Sequence, residues 1–171
     1  MALLSRPRTD EREESSEGGL LRSAGNGAVG GALATVVMTA YRMPVASSLP
    51  PTAEFWAQYV AGGEADDHPV PALVLHLGYG ATAGVAFGAL FGPFERRTDS
   101  DEARETGGVV LGTLYALALS LFGERVVLRG LLDVDLDATE SLIFHVGHLV
   151  YGLSLGSWVA SESTVEDLEL Q

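Results

Sequence analysis

Residues 75–88 read LHLGYGATAGVAFG and residues 147–160 read GHLVYGLSLGSWVA. The pattern His-Leu-x-Tyr-Gly-x-x-x-Gly therefore starts at His76 and again at His148, which is how a duplicated unit announces itself. Each copy lies in a run free of Asp, Glu, Lys and Arg, and two further runs share that property, so the charge-free windows are 24–41, 72–92, 107–123 and 141–160. Each is about 17 to 21 residues long, enough to cross about 30 Å of hydrocarbon at 1.5 Å per helical residue. All 23 acidic and all ten basic residues fall between or outside these windows. The spacing predicts an all-α, four-helix transmembrane bundle.

The chain has 171 residues, of which 47% are hydrophobic, and a formal net charge of −13. Every basic residue is Arg, and Cys is absent. Without Cys, disulfides, thiolate metal sites and Cys nucleophiles are excluded; an acidic balance of this size argues against nucleic acid as a partner. Abundant surface Asp and Glu with no Lys resembles the composition of proteins from extreme halophiles, where salt screens self-repulsion.

Residues 1–23 mix Glu, Arg, Ser and Gly without apolar pattern and read as a disordered cytoplasmic tail. Residues 24–160 form the membrane domain, and 161–171 an acidic tail. The domain divides into a first repeat over 24–92 and a second over 107–160. Each has a small-residue helix, an Arg at its end (Arg42, Arg125), an amphipathic connector and a helix carrying the His-Leu-x-Tyr-Gly pattern. Two spans per half make the repeats parallel, related by an axis along the membrane normal.

The first connector carries Phe55, Trp56 and Tyr59 at helical spacing, with Thr52 as N-cap and Gly62 and Gly63 as the stop; it suits a short helix lying in the interface. Asp137 followed by Glu140 has capping-box spacing and starts the last span. Arg22, Arg96, Arg97 and Arg104 outnumber Arg42, Arg125 and Arg129 on the other side, which puts both termini in the cytoplasm of a multi-pass cell-membrane protein.

Gly80, Gly84, Gly88 and Gly92 recur every four residues, and Gly152 and Gly156 repeat the spacing. Such rows let helix backbones approach closely in lipid. Because a four-residue row drifts around the helix, two or three of these glycines are expected to meet the last span and the others another helix or protomer. The partners implied are the lipid bilayer and either further copies of the chain or a larger membrane complex.

His76, His145 and His148 lie inside the spans, where ionisable groups are costly and face the interior or a wet cavity. At 1.5 Å per residue His148 sits about 4 Å, and His76 and His145 about 8–9 Å, from mid-span toward the same side. Neutral imidazoles hydrogen-bonded to Tyr79 and Tyr151 are one reading. A vestibule of the three histidines, those tyrosines, Arg42 and Arg125, binding an anion, a headgroup or a proton, is another. Bis-histidine haem b is a third, in conflict with glycines one turn below each His that ask for close approach. A divalent metal lacks a carboxylate in the spans. No cofactor, metal site or catalytic residue is assigned, and no Gly-x-Ser-x-Gly, Walker or His-Glu-x-x-His motif is present.

With MTAYRMPVASSLPPTAEFW (38–56), LHLGYGATAG (75–84) and FHVGHLVYGLSLG (144–156) in view, the chain resembles four-span membrane proteins of halophilic archaea. It is more distantly similar to YagU-like inner-membrane proteins. The resemblance covers about residues 25–160 and implies a membrane location, with no activity or catalytic residue carried over. The expected role is a small packing or accessory subunit, with a transport or ligand-binding protein as the competing class and haem electron transfer third.

Overall fold

The computed structural model describes residues 8–46, 49–98 and 100–169. Five helices follow in order: α1 (Arg8–Arg42), α2 (Thr52–Trp56), α3 (Pro69–Glu95), α4 (Asp101–Phe122) and α5 (Ala138–Glu169). Two of them run on as wider π-helical turns, α2 through Ala57–Ala61 and α4 through Gly123–Leu131. Three segments, Pro69–Glu95, Asp101–Leu131 and Ala138–Ser161, are long and apolar enough to cross a membrane. They pack as a bundle with α1. Asn26 and the glycines of α1 make it less apolar than the other three.

Helix boundaries follow local chemistry. Pro69 occupies the first turn of α3, where its missing N–H goes unused. The Ser100 side chain accepts from Ala103 N at 3.2 Å to start α4. At α5, the Asp137 carboxylate accepts from Glu140 N at 2.9 Å while Asp137 N donates to Glu140 Oε2 at 3.0 Å, the reciprocal box expected from the spacing. Gly62 and Gly63, with φ of 74° and 81°, end the first connector in a backbone region that side chains avoid. Thr52 differs from expectation. Pro51 occupies the cap position, and the Thr52 hydroxyl instead donates to Ala72 O at 2.7 Å, pinning α2 to α3.

The backbone is helical from Arg8, where a disordered tail is expected over 1–23, and α5 continues to Glu169 through most of the acidic tail. Residues 1–7, 170 and 171 lie outside the described residues.

α1 runs along both α3 and α5, and α4 along α5; α3 and α4 approach much less. The glycine rows explain the two tightest pairs. A Cβ at Gly84 would collide with Gly27 O and lie 2.8 Å from Gly31 Cα, while one at Gly88 would collide with Ser23 O. In the other pair a Cβ at Gly156 would collide with Gly108 O, and one at Gly152 would fall 2.5 Å from Ala116 Cβ. Expectation is corrected here: the glycine row of α3 closes on α1 rather than on α5, although Gly80 O also accepts from Tyr151 of α5. α3 closes on α1 and α5 on α4, because Gly27 and Gly31 of α1, and Gly108 and Gly112 of α4, offer bare backbone at the same four-residue spacing. Gly92 also lies against α1, at Ser23.

Between α3 and α4 one end is closed by aromatic side chains. Phe87 and Tyr115 pack at a tilt with centroids 5.5 Å apart, Phe91 and Phe94 extend the cluster, and the Tyr115 hydroxyl donates to Ala83 O at 2.8 Å. Toward the connectors the helices part. The outer faces stay apolar, with Val29, Leu33 and Val36 of α1, Leu90 of α3 and Leu114 of α4 exposed. That is unfavourable in water and natural against acyl chains.

Candidate functional site

The parting of α3 from α4 leaves a cavity of about 640 Å³, within the range of roughly 300–1,000 Å³ that encloses drug-sized molecules. Its walls are mainly apolar: Pro51 and Phe55 from α2, Val74 and Leu75 from α3, Val127, Leu128 and Leu131 from the π-helical turn, and Phe144 from α5. Gly78, Tyr79 and Thr82 carry its rim down α3 toward the middle of that span. Among the described residues no Asp, Glu or Arg lines it. The Tyr59 hydroxyl donates to Leu131 O at 2.7 Å and so ties the two connectors to each other.

The wide turns have a role in this shape. The π-helical stretch from Gly123 supplies Val127, Leu128 and Leu131 to the cavity wall. Such stretches are rare in proteins and recur at functional positions. Leu128, Leu132 and Phe144 form a small core that fixes this turn against α5.

At the inner end lies a second chamber of about 20 Å³, lined by Thr35, Met38, His76, Tyr79, Gly80, Leu119, His148 and Tyr151. His76, Tyr79 and His148 border both spaces. His148 Nδ1 lies 2.9 Å from Phe144 O; a carbonyl only accepts, so Nδ1 is the donor, and on a neutral ring Nε2 keeps the lone pair. His76 is 7% exposed, and its buried Nε2 has no hydrogen-bond partner among the described residues. The Tyr151 hydroxyl donates to Gly80 O at 2.7 Å, and that of Thr35 to Gly31 O at 2.7 Å.

Of the vestibule expected from the sequence, His76, His148, Tyr79 and Tyr151 come together here, and three members do not. Arg42 is partly buried, with its stem beside Gly147, and lines neither space. Arg125 is exposed, because the π-helical turn carries it outward. His145, one face round from His148, points at α4: Nδ1 lies 3.0 Å from Ser120 Oγ and Nε2 2.9 Å from Glu124 Oε2. Ser141 Oγ donates to the other Glu124 oxygen at 3.1 Å.

Ser120, His145 and Glu124 have the order of a nucleophile, base and orienting acid. The geometry forbids that use. Ser120 is 0% exposed, borders neither cavity and donates to Leu117 O at 2.9 Å, so no substrate reaches it. The group is a polar clamp between α4 and α5. Sequence reading missed Ser120, Glu124 and Ser141, since Glu124 marks the end of the charge-free window. The available signal was two four-residue steps, Ser120 to Glu124 and Ser141 to His145, on facing helices.

A porphyrin does not fit between His76 and His148, whose shared chamber is water-sized. No group of three or more His, Cys, Asp or Glu suited to a metal occurs among the described residues. Three apolar helices with exposed aliphatic faces, bundled round a mainly apolar cavity, define a helical multi-pass membrane protein. The chain belongs to DUF6789, a family of unknown function whose model matches residues 21–168. No curated protein and no solved structure matches it.

Proposed function

We propose that this protein binds a lipophilic molecule that enters sideways from the bilayer between α3 and α4. The observation that carries the reading is the cavity of about 640 Å³, apolar at its walls and bordered at its inner end by two imidazoles. In this reading α1 is a fourth span: its outward Val29, Leu33, Val36 and Val37 are exposed, as a lipid-facing helix requires. The two halves are a duplicated helix pair, since Gly27, Gly31 and Gly84 have counterparts in Gly108, Gly112 and Gly156. Both termini lie on the cytoplasmic side, and α2 with the two wide turns lies at the outer interface.

A subunit that assembles through its glycine rows has less support, because those rows are occupied inside one chain. Catalysis has less, because among the described residues no carboxylate borders the cavity and the Thr52 and Thr82 hydroxyls at its border donate to backbone carbonyls. Retention or carriage of a hydrophobic compound needs only the features present.

Gly78 offers the test. It borders the cavity, and a Cβ there meets nothing within 4 Å, so Gly78→Trp adds bulk to the cavity without disturbing the bundle. Native mass spectrometry of the full chain released from detergent should show wild type carrying a lipophile and Gly78→Trp without it. Equal loads on both proteins, or none on either, would refute the reading.

A further inference from the structure

The two chambers differ in size, and together they describe the occupant. The outer one takes an apolar body; the inner one, at about 20 Å³, has room for a single oxygen, since a water needs roughly 10–15 Å³ on this measure. The rings of two histidines, His76 and His148, help line that room. His148 Nδ1 is held by Phe144 O at 2.9 Å, which leaves Nε2 of the neutral ring as an acceptor. His76 Nε2 is buried and unpartnered among the described residues, and borders the same chamber. A buried polar atom left without a partner is costly.

Resting on the binding role proposed above, we infer that the ligand is a long-chain alcohol whose hydroxyl sits between His76 and His148. A hydroxyl gives one hydrogen bond and takes another, so it donates to His148 Nε2 and accepts from His76 Nε2–H. Other heads fail on one count each. A ketone or ester carbonyl accepts only and leaves His148 Nε2 unpaired. A methyl ether cannot donate and brings a methyl group too many. An ionised carboxylate only accepts and leaves His148 Nε2 unpaired, and an ammonium only donates and leaves the His76 donor unmet. The body is aliphatic or isoprenoid, since the walls are Val, Leu and Phe.

The test keeps the chain constant and changes the head. Tritiated oleyl alcohol bound to the detergent-solubilised full chain is displaced with unlabelled oleyl alcohol, oleyl methyl ether, methyl oleate or oleate. Oleyl alcohol should compete about tenfold or more better than the other three, the effect of one lost hydrogen bond and one stranded polar atom. His148→Leu, which removes the acceptor that only a hydroxyl can use, should bring the alcohol down to the level of the ether and leave the ether unchanged, whereas His76→Leu should weaken both. The side-chain ¹⁵N resonances of His148 should shift when alcohol is added and stay in place with ether. Equal competition by alcohol and ether would overturn the inference while leaving the cavity's binding role intact. No retention of the labelled alcohol, together with identical native mass spectra for wild type and Gly78→Trp, would overturn both.

Discussion

Replacing Gly84 with Ala is the sharpest probe of how the helices are held. In an exposed helix the change stabilises by about 1 kcal/mol, because Ala loses less backbone freedom. At Gly84 the new methyl would lie 2.8 Å from Gly31 Cα and 2.9 Å from Gly31 N, and would overlap Gly27 O. All three obstacles are backbone, so α1 and α3 must separate, and ordinary contact begins at 3.4 Å. Overpacking of this kind costs roughly 1–3 kcal/mol, and a radial gap of about 0.5–1 Å forfeits a quarter to a half of each dispersion contact along the seam. Gly78→Ala is the matched control on the same helix, since its Cβ meets nothing within 4 Å. The propensity gain is common to both variants, so their difference, about 1–3 kcal/mol, isolates the strain. Unfolding by SDS titration from mild-detergent micelles, followed by helical circular dichroism, reads it. The fluorescence of Trp158, whose indole donates to Asn26 at 2.9 Å across the α1–α5 seam, gives a second trace. Gly84→Ala as stable as Gly78→Ala would refute backbone clasping.

Gly156→Ala should behave like Gly84→Ala, because its Cβ would collide with Gly108 O in the α4–α5 pair. Tyr151→Phe removes the hydroxyl that donates to Gly80 O and should lower stability by about 0.5–1.5 kcal/mol in the same titration. Asp137→Ala breaks the cap of α5 and should cost about 1 kcal/mol. Glu124→Gln and His145→Asn should prove non-additive in a double-mutant cycle, with a coupling of roughly 0.5–3 kcal/mol, as partners in one clamp require. The chain has no Cys, so single cysteines report topology directly: Thr98→Cys should label from the cytoplasmic side, and Asp66→Cys and Asp135→Cys from the opposite side.

The all-α class and three of the four expected spans could be read before any coordinates. Charge-free windows of membrane-spanning length, the doubled His-Leu-x-Tyr-Gly pattern and the Asp137–Glu140 spacing all report local constraints, and local constraints are what sequence periodicity records. Which helix meets which could not be read the same way. Gly80 and Gly84 announce a close approach, but Gly27, Gly31 and Gly152 were equally eligible partners until the fold chose α1. The site divides likewise. His76 and His148 hold equivalent places in the doubled sequence pattern and line the same chamber. His145 differs from His148 by three residues, close to one turn, and yet its ring goes to Glu124, because the wide turn after Phe122 keeps that carboxylate helical and in reach. Nothing in residues 123–131 marks them for π-helical geometry, and both the cavity wall and the outward turn of Arg125 follow from it.

The most direct measurement is photocrosslinking in membrane vesicles with a diazirine-bearing oleyl alcohol, mapped by peptide mass spectrometry. Adducts should concentrate on residues 74–82 of α3 and 123–131 beyond α4, and excess oleyl alcohol should abolish them. Adducts spread evenly over exposed apolar positions such as Val29, Leu33 and Val36 of α1, and indifferent to competitor, would contradict a lateral binding cavity.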